Sequence, residues 1–461
     1  MIETFQNAAR SFAELAWGPW LLVLLLGGGL FFLVYTRFAP FRHLPHAIAL
    51  LRGKYDSPDD PGDITHFQAL SSALAGTIGM GNVAGVALAI VIGGPGAIFW
   101  MWMTAILGIA TKFFTCTLAV MYRGRDSGGT LRGGPMYVIR EGLPRHWHWL
   151  AYMFAIFGMI GTLPVLQANQ LIQILRDVVF IGNGWLPETG EHLPFNLGAG
   201  VVLTIVAGLV IFGGIHRIGR VASRMVPTMS VLYIGATLVV LALNVERLPA
   251  MLWLILEDAF TARSAGAGAL LTVILYGVQR GAFSNEAGIG TEAMAHGAAK
   301  TREPVREGLV AMLGPIIDTL LICSATAFVI LLSGQWAVDG DLNGVTLTAT
   351  AFQTHLGTAG MIIVVLTVIS FALTTIFTYS FYGTQCAGFL FGAQHRHHYR
   401  WLYLSFIVVA SVVTLEAAIS IIDGAYALMA IPTMVSALLL APKVKAAATR
   451  YFATIDNARA G

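Results

Sequence analysis

Charged side chains are scarce in this sequence. Asp, Glu, Lys and Arg together make up 11% of its 461 residues, whereas hydrophobic residues make up 56%. Soluble domains carry about 25% charged residues, so this composition excludes a soluble protein and predicts an all-α polytopic membrane protein. The net charge of +3 adds little, because in a membrane protein the position of each charge matters more than the sum.

Cysteine is also rare. The three cysteines, Cys116, Cys323 and Cys386, all lie inside apolar segments, and none belongs to a Cys-x-x-Cys pair. The sequence therefore offers neither a disulfide framework nor a cysteine metal site, and we interpret the three thiols as small core side chains.

Long apolar segments are abundant. A helix that crosses the hydrocarbon core needs about 20 apolar residues, and scanning for such windows predicts eleven membrane-spanning helices. The first is followed by Arg37 and has no small-residue cleavage site, so we interpret it as a retained helix rather than a signal peptide. The predicted spans are 17–36, 68–92, 95–122, 148–177, 197–215, 225–245, 265–297, 308–334, 359–392, 401–420 and 424–441.

Lysine and arginine concentrate in alternate loops. Cytoplasmic loops of membrane proteins carry an excess of these residues, so the pattern predicts that the N-terminus is outside and the C-terminus is in the cytoplasm. For a bacterial type of cell this corresponds to the inner membrane. The Lys- and Arg-rich segments are 37–65, 123–147, 216–224, 298–307, 393–400 and the C-terminal tail.

Two short motifs nearly repeat each other inside predicted spans 2 and 7. Asn-Val-Ala-Gly occupies 82–85 and Asn-Glu-Ala-Gly occupies 285–288, each within a glycine-rich run. Polar residues and glycine clusters are costly in a membrane unless the backbone is broken around a ligand. The motifs therefore predict two broken helices that form a binding site.

The position of the motifs predicts an inverted repeat. Spans 2 to 6 begin with one broken helix and spans 7 to 11 with the other, and because five is odd the two sets have opposite orientation. The predicted division is 1–62 for an extra membrane helix and cytoplasmic loop, 63–245 for the first repeat, 246–441 for the second, and 442–461 for a cytoplasmic tail.

Other interpretations of these residues stay open. Glycines can permit close helix packing, and the two asparagines, Asn82 and Asn285, can cap broken helices. Glu286 and Glu292 are acidic residues inside a span, which are usually paired or functional. Arg280 lies close enough in sequence to pair with Glu286 across the break.

Several segments closely resemble the alanine or glycine:cation symporters, the sodium:alanine symporter family. The resemblance covers nearly the whole chain, and Ser-Asn-Glu-Ala-Gly-Ile-Gly followed by Ala-His-Gly-Ala-Ala-Lys-Thr is its most specific part. It implies a LeuT-like five-plus-five inverted repeat preceded by one extra helix, and Na⁺-driven uptake of a small neutral amino acid. The similar segments lie at 62–70, 76–102, 133–139, 280–301 and 317–331.

The expected substrate is a small zwitterion such as alanine or glycine. We expect backbone N–H groups freed at the first break to hold its carboxylate, and glutamine oxygens to hold its ammonium group. A pocket lined by glycine, Phe283 and Ile289 would admit only a short side chain. The predicted substrate-binding residues are Thr77, Gly79, Gly81, Asn82, Gln167, Gln170, Phe283, Ser284, Asn285 and Ile289.

The expected coupling ion is Na⁺, with no other cofactor. A hard cation prefers carbonyl and hydroxyl oxygens. The implied fold places this ion between the first broken helix and span 9, so Thr374 and Thr375 would join carbonyls near Ala75 and Ile78. Threonines in membrane helices also commonly bond their own backbone.

The chain departs from the common family pattern at three positions. Thr115 and Thr384 stand where many members carry Glu, and Glu292 stands within a segment where Ala-Pro is frequent. Ion stoichiometry, and the choice between Na⁺ and H⁺, stay open on these grounds.

Other classes of function were weighed. A channel would need a continuous polar stripe, and an intramembrane enzyme would need a nucleophile with a base or a metal cluster; neither pattern is visible, so no enzyme is expected. His296 stands alone in its span, and His395, His397 and His398 are interpreted as solvated. A proton-coupled or ion-independent exchanger of the same fold is the serious alternative. The lipid bilayer is an expected partner, nucleic acid is not, and the sequence does not indicate the oligomeric state.

Overall fold

The computed structural model describes residues 2–57, 59–261, 266–337, 344–412 and 416–460. Helices dominate this part of the chain, and one short hairpin pairs β1 Gly124–Arg125 with β2 Leu131–Arg132 in antiparallel fashion. The α-helices are α1 Ile2–Ala16, α2 Pro19–Tyr35, α3 Ala39–Arg42, α4 Leu44–Leu51, α5 His66–Thr77, α6 Val86–Gly93, α7 Ala97–Met121, α8 Pro135–Gly142, α9 Trp149–Gly161, α10 Val165–Ile174, α11 Leu193–Ile211, α12 Gly214–Leu243, α13 Leu248–Thr261, α14 Gly266–Asn285, α15 Thr291–His296, α16 Pro304–Ala311, α17 Leu313–Pro315, α18 Ser324–Ser333, α19 Gly344–Phe391, α20 Arg396–Val412, α21 Glu416–Leu428 and α22 Ala430–Ala460.

Irregular helical turns interrupt several of these helices. The long helix α19 is in fact two helices joined at Gly357, whose backbone is non-helical (φ 61°, ψ −148°). The π-helical turns are Gly81–Gly85, Leu175–Ile181 and Ile316–Cys323, and the 3₁₀ turns are Arg145–Trp147, Val245–Arg247, Gln335–Ala337 and Ala393–His395. π-turns inside helices often lie at functional sites, and the first of them falls in the predicted site.

The chain is a multi-pass membrane protein. Among the described residues, eight helices are long and apolar enough to cross a membrane, and a bent pair brings the number to nine. Large apolar side chains such as Val202, Leu209, Val231 and Leu243 on α11 and α12 are exposed. Outside a membrane such an apolar surface would be unfavourable, so these faces are suited to contact lipid.

The sequence predicted eleven spans, two more than the nine counted among the described residues. In predicted span 265–297 the backbone leaves helical geometry after α14, so no single helix covers it. In predicted span 401–420 the described helix α20 has 17 residues, fewer than the roughly 20 needed to cross the hydrocarbon core. The count of eleven therefore stays a prediction.

A polar seam closes one end of the molecule, where the chain before α5 meets the chain after α15. Backbone hydrogen bonds join 61–64 to 298–301, including Lys300 N–H to the Ile64 carbonyl at 2.7 Å. Arg123, just after α7, donates to four carbonyls across this seam, with Gly297 at 2.8 Å and Pro61 and Thr301 at 3.1 Å each, and Ala299 as the fourth. The guanidinium is well suited to this task because it offers five donors in a rigid fork.

We expect Arg123→Ala to lower the stability of the fold. The substitution removes the Arg123 donor from four carbonyls, of which only the Pro61 carbonyl keeps the Thr301 N–H at 3.2 Å. An orphaned, desolvated polar group costs about 1–3 kcal/mol. Thermal unfolding of the purified protein in detergent should therefore begin at a lower temperature. Arg125→Ala is the matched control, because Arg125 donates to Gly129 within its own hairpin. Equal melting temperatures for the two variants would show that the Arg123 contacts across the seam do not stabilise the fold.

Candidate functional site

The first break lies between α5 and α6. Helix α5 ends at Thr77 because Ile78 adopts an extended backbone (φ −74°, ψ 93°), and helical geometry resumes in the π-turn with a bend of 52°. Within the break, the Asn82 side-chain oxygen Oδ1 accepts a hydrogen bond from the Gly79 N–H at 2.9 Å. Asn82 thus stabilises the local backbone from inside the break.

The second break lies between α14 and α15. Glu286 has a left-handed backbone (φ 56°), and Gly288 and Gly290 follow at φ 87° and 100°. Such a conformation is uncommon for a residue with a side chain and is typical of functional sites. Asn285 Oδ1 accepts from the Ala287 N–H at 3.0 Å, so the asparagine of each repeated motif caps its own break.

Threonine hydroxyls on neighbouring helices bind carbonyls that lie at the breaks. Thr326 donates to the Asn82 carbonyl at 2.8 Å, and Thr433 donates to the Ile289 carbonyl at 2.9 Å. Buried carbonyls need such partners. The breaks are therefore held by side chains from other elements as well as by their own asparagines.

Asp318 connects the two breaks directly. Its buried carboxylate accepts from Asn82 Nδ2 at 2.7 Å and from Ser284 Oγ at 2.9 Å, and also from the adjacent Thr319 hydroxyl at 2.7 Å. Sequence reasoning missed this residue, although an acidic side chain inside an apolar span was a signal that could have found it. Asn82 and Ser284 therefore meet at Asp318.

A cavity of about 370 Å³ lies beside both breaks. Four predicted substrate residues line it, namely Gly81, Gln167, Gln170 and Phe283. Its other lining residues are Met80, Ala84, Gly85, Leu88, Gly161, Leu163, Leu166, Arg280, Gly344, Tyr379, Ile419, Ile422, Asp423 and Tyr426. A volume of this size is typical of a small-molecule site.

A much smaller pocket of about 10 Å³ adjoins the cavity. This volume is enough for roughly one water molecule or ion. Glu286 lies on its wall and accepts hydrogen bonds from Thr291 Oγ1 and, at 2.8 Å, from Tyr379 Oη. The pocket is lined by Gly76, Thr77, Gly79, Met80, Gly81, Leu166, Gln167, Phe283, Glu286, Thr375 and Tyr379.

The two threonines of the predicted ion site differ. Thr375 Oγ1 lies within hydrogen-bond distance of the Ala75 carbonyl on α5 at 3.1 Å and of the Phe371 carbonyl of its own helix at 2.9 Å, and Thr375 lines the small pocket. Thr374 Oγ1 bonds only carbonyls of its own helix, Ser370 at 3.0 Å and Phe371 at 3.1 Å. Ile78 is fully buried next to the break. The structure thus brings Thr375 and Ala75 together and leaves Thr374 in a local backbone role.

Four predicted substrate residues, Asn82, Ser284, Asn285 and Ile289, line neither the cavity nor the small pocket. Asn82 and Ser284 are turned toward Asp318, and Asn285 toward Thr104 Oγ1 at 3.4 Å. Ile289 is fully buried and is also not among the cavity-lining residues. These side chains lie at the breaks but do not line the cavity.

Arg280 and Glu286 do not form the pair that the sequence suggested. Arg280 lines the cavity together with Asp423 and interacts with it electrostatically, whereas Glu286 bonds hydroxyl groups. Glu292 Oε1 accepts from Thr115 Oγ1 at 3.1 Å, while its Oε2 has no hydrogen-bond partner. Two positions that depart from the family pattern are therefore in contact.

Comparison with known proteins identifies a family for this chain. A sequence profile of the sodium:alanine symporter family matches residues 2–460. This chain belongs to the sodium:alanine symporter family. The resemblance noted in the sequence is thereby confirmed, and the broken helices can be compared with those of other family members.

Relatives of this family member align over almost their whole length. The sodium/alanine symporter AgcS of Methanococcus maripaludis is 41% identical, over 94% of this chain and 94% of that protein. An uncharacterized transporter of Haemophilus influenzae is 40% identical, over 98% and 96%. The probable sodium/glutamine symporter GlnT of Bacillus subtilis is 35% identical, over 95% and 89%.

The crystal structure of MhsT in complex with L-phenylalanine has a similar fold. The TM-score is 0.55 at 14% sequence identity, and the match covers 84% of this chain and 98% of MhsT. At this identity the likeness concerns the fold alone. This family member therefore has a LeuT-like fold.

We expect Gly79→Ala to be more damaging than Gly81→Ala. A Cβ at Gly79 would lie 2.7 Å from Thr375 Oγ1, whereas one at Gly81 would lie 3.5 Å from Phe283, an ordinary contact. Overpacking of this kind costs about 1–3 kcal/mol, so Gly79→Ala should lower the unfolding temperature in detergent. Gly235→Ala, with no atom within 4 Å of its added Cβ, is the control. A Gly79→Ala protein as stable as the control would show that the break has room to move.

Proposed function

We propose that this chain is a secondary active symporter that takes up a small neutral amino acid, alanine or glycine, together with Na⁺ by alternating access. The observation that carries the proposal is that two helix breaks adjoin one cavity with an ion-sized pocket beside it. The family, and the relative AgcS as a sodium/alanine symporter, support it. Broken helices at a midplane site are the usual device of such transporters.

The chemistry of the cavity suits a zwitterion. The helix that restarts at Gly81 begins with N–H groups that have no partner within the helix, and these favour a carboxylate. Gln167 Oε1 is buried without a hydrogen-bond partner and lines both the cavity and the small pocket. It is thus available to accept from an ammonium group.

The small pocket suits the cation. Its oxygens come from the hydroxyl groups of Thr77 and Thr375, the carboxylate of Glu286 and the backbone of the first break. Hard cations prefer such ligands. The Glu286 carboxylate on the wall is the feature that favours the proton-coupled alternative.

The proposal includes an orientation. Because the Lys- and Arg-rich loops are expected on the inside, we place the N-terminus outside and the C-terminus in the cytoplasm of a cell with the protein in its inner membrane. The repeats 63–245 and 246–441 then lie in opposite orientation, with the two breaks near the membrane midplane.

Uptake by proteoliposomes tests the proposal. Labelled alanine, glycine and glutamine are supplied with an inward Na⁺ gradient, with an inward proton gradient, or with unlabelled amino acid inside. We expect alanine or glycine uptake to require the Na⁺ gradient. Uptake driven by protons alone supports the proton-coupled alternative, and uptake that needs only internal amino acid supports an exchanger. Preference for glutamine would contradict a small substrate such as alanine or glycine. It would indicate that the cavity of about 370 Å³ accepts a longer side chain.

We expect Thr375→Val to weaken the response to Na⁺, whereas Thr374→Val, the matched control, should leave it unchanged. Valine keeps the shape of threonine but removes the hydroxyl that reaches Ala75. Loss of one ligand should raise the Na⁺ concentration for half-maximal uptake about ten-fold, equivalent to about 1.4 kcal/mol. Equal Na⁺ responses of both variants would remove Thr375 from the ion site.

A further inference from the structure

A cluster of three buried side chains lies at the polar seam, outside the substrate site. Glu307, in the first turn of α16, accepts from His66 Nδ1 with one oxygen and from His296 Nδ1 at 2.5 Å with the other. All three side chains are at most 1% exposed. His66 is 241 positions from Glu307 in the sequence, whereas His296 is 11 positions away, so the fold brings His66 to the other two.

The cluster joins both broken helices. His66 is the first residue of α5, the first half of one broken helix, and His296 is the last residue of α15, the second half of the other. Both contact the same carboxylate, next to the seam in which 61–64 pairs with 298–301. Any movement that separates these helix ends must break a contact with Glu307.

The geometry distinguishes the two imidazoles. Each presents Nδ1 to a carboxylate oxygen, so each donates from Nδ1. His296 Nε2 has no hydrogen-bond partner. His66 Nε2 lies 3.8 Å from Asp56 Oδ1. At this position the Asp56 carboxylate attracts a proton on Nε2 and repels a lone pair there. His66 is therefore suited to carry a second proton between two carboxylates.

Other charged groups near the cluster do not remove the attraction of Glu307 and Asp56 for a proton on His66. Arg306 on α16 opposes a charge on His66, and Arg123 after α7 interacts with Glu307 and Asp63. On α7 the Cys116 thiol faces Glu307, and on α4 His46 bonds Tyr451 instead. Among the described residues no group of three or more His, Cys, Asp or Glu side chains is arranged for a metal ion.

We propose that His66 is a proton-binding site that holds the inner ends of the two broken helices closed. The proton bound at Nε2 strengthens the pairing with Glu307 and Asp56, and it exchanges with the cytoplasm through Asp56, whose side chain is 37% exposed. Deprotonation weakens the pairing and favours opening toward the cytoplasm. This inference rests on the proposed transport function and orientation, and it makes release dependent on internal pH.

Transport measured against internal pH tests the proposal. With external pH, Na⁺ gradient and voltage fixed, lowering the internal pH from about 8 to about 6 should slow alanine uptake several-fold, because imidazole titrates in this range. His66→Asn keeps a donor for Glu307 but cannot bind the proton, so its rate should not depend on internal pH. Asp56→Asn should move the midpoint to lower pH, since it removes an attracting charge. His398→Asn, at an exposed position, should keep the wild-type profile.

A titration without substrate separates this inference from the proposed function. Protein labelled with ¹³C in its 12 histidines should show one resonance that is absent from His66→Asn and that titrates in the wild type. If that resonance titrates but alanine is not transported, the proposed function fails and the proton site stands. A resonance that does not change between about pH 5 and pH 9, or a wild-type pH profile in His66→Asn, would overturn the proton site.

Discussion

The Asp318 carboxylate is the constraint on which the central site depends. A buried charge in a membrane protein is tolerated only when it is fully hydrogen-bonded, and the donors to Asp318 come from Asn82 in one broken helix and Ser284 in the other. Asn82 and Asp318 are 236 positions apart in the sequence. Satisfying this one carboxylate therefore fixes the two breaks against each other, and the cavity lies beside them.

A second buried carboxylate acts in the same way at the ends of the broken helices. Glu307 contacts α5 through His66 and α15 through His296. Asp318 involves hydroxyl and amide donors, which do not titrate near neutral pH, whereas Glu307 involves imidazoles, which do. The two buried carboxylates thus join the broken helices through different groups, and the proposed proton dependence rests on the imidazoles at the seam.

The sequence predicted the membrane class, the family and the location of both irregular segments, because these depend on local apolarity and on glycine and polar residues within it. It did not predict Asp318 or the partner of His296, since these contacts join residues of different helices. It also could not distinguish Thr375 from Thr374, or show that Asn82 faces Asp318, because the direction of a side chain at a break depends on the backbone of that break. The number of spans was uncertain where a helix is interrupted, as after Asn285.

Alanine binding to an Asp318→Ala protein tests the central claim most directly. Isothermal titration calorimetry in saturating Na⁺ would compare this variant with the wild type, and size-exclusion chromatography would establish that both are folded. If Asp318 holds the two breaks in one site, the affinity should fall at least about ten-fold, or about 1.4 kcal/mol. Unchanged affinity in a folded Asp318→Ala protein would contradict the account, because the site would then form without the interaction that joins its two halves.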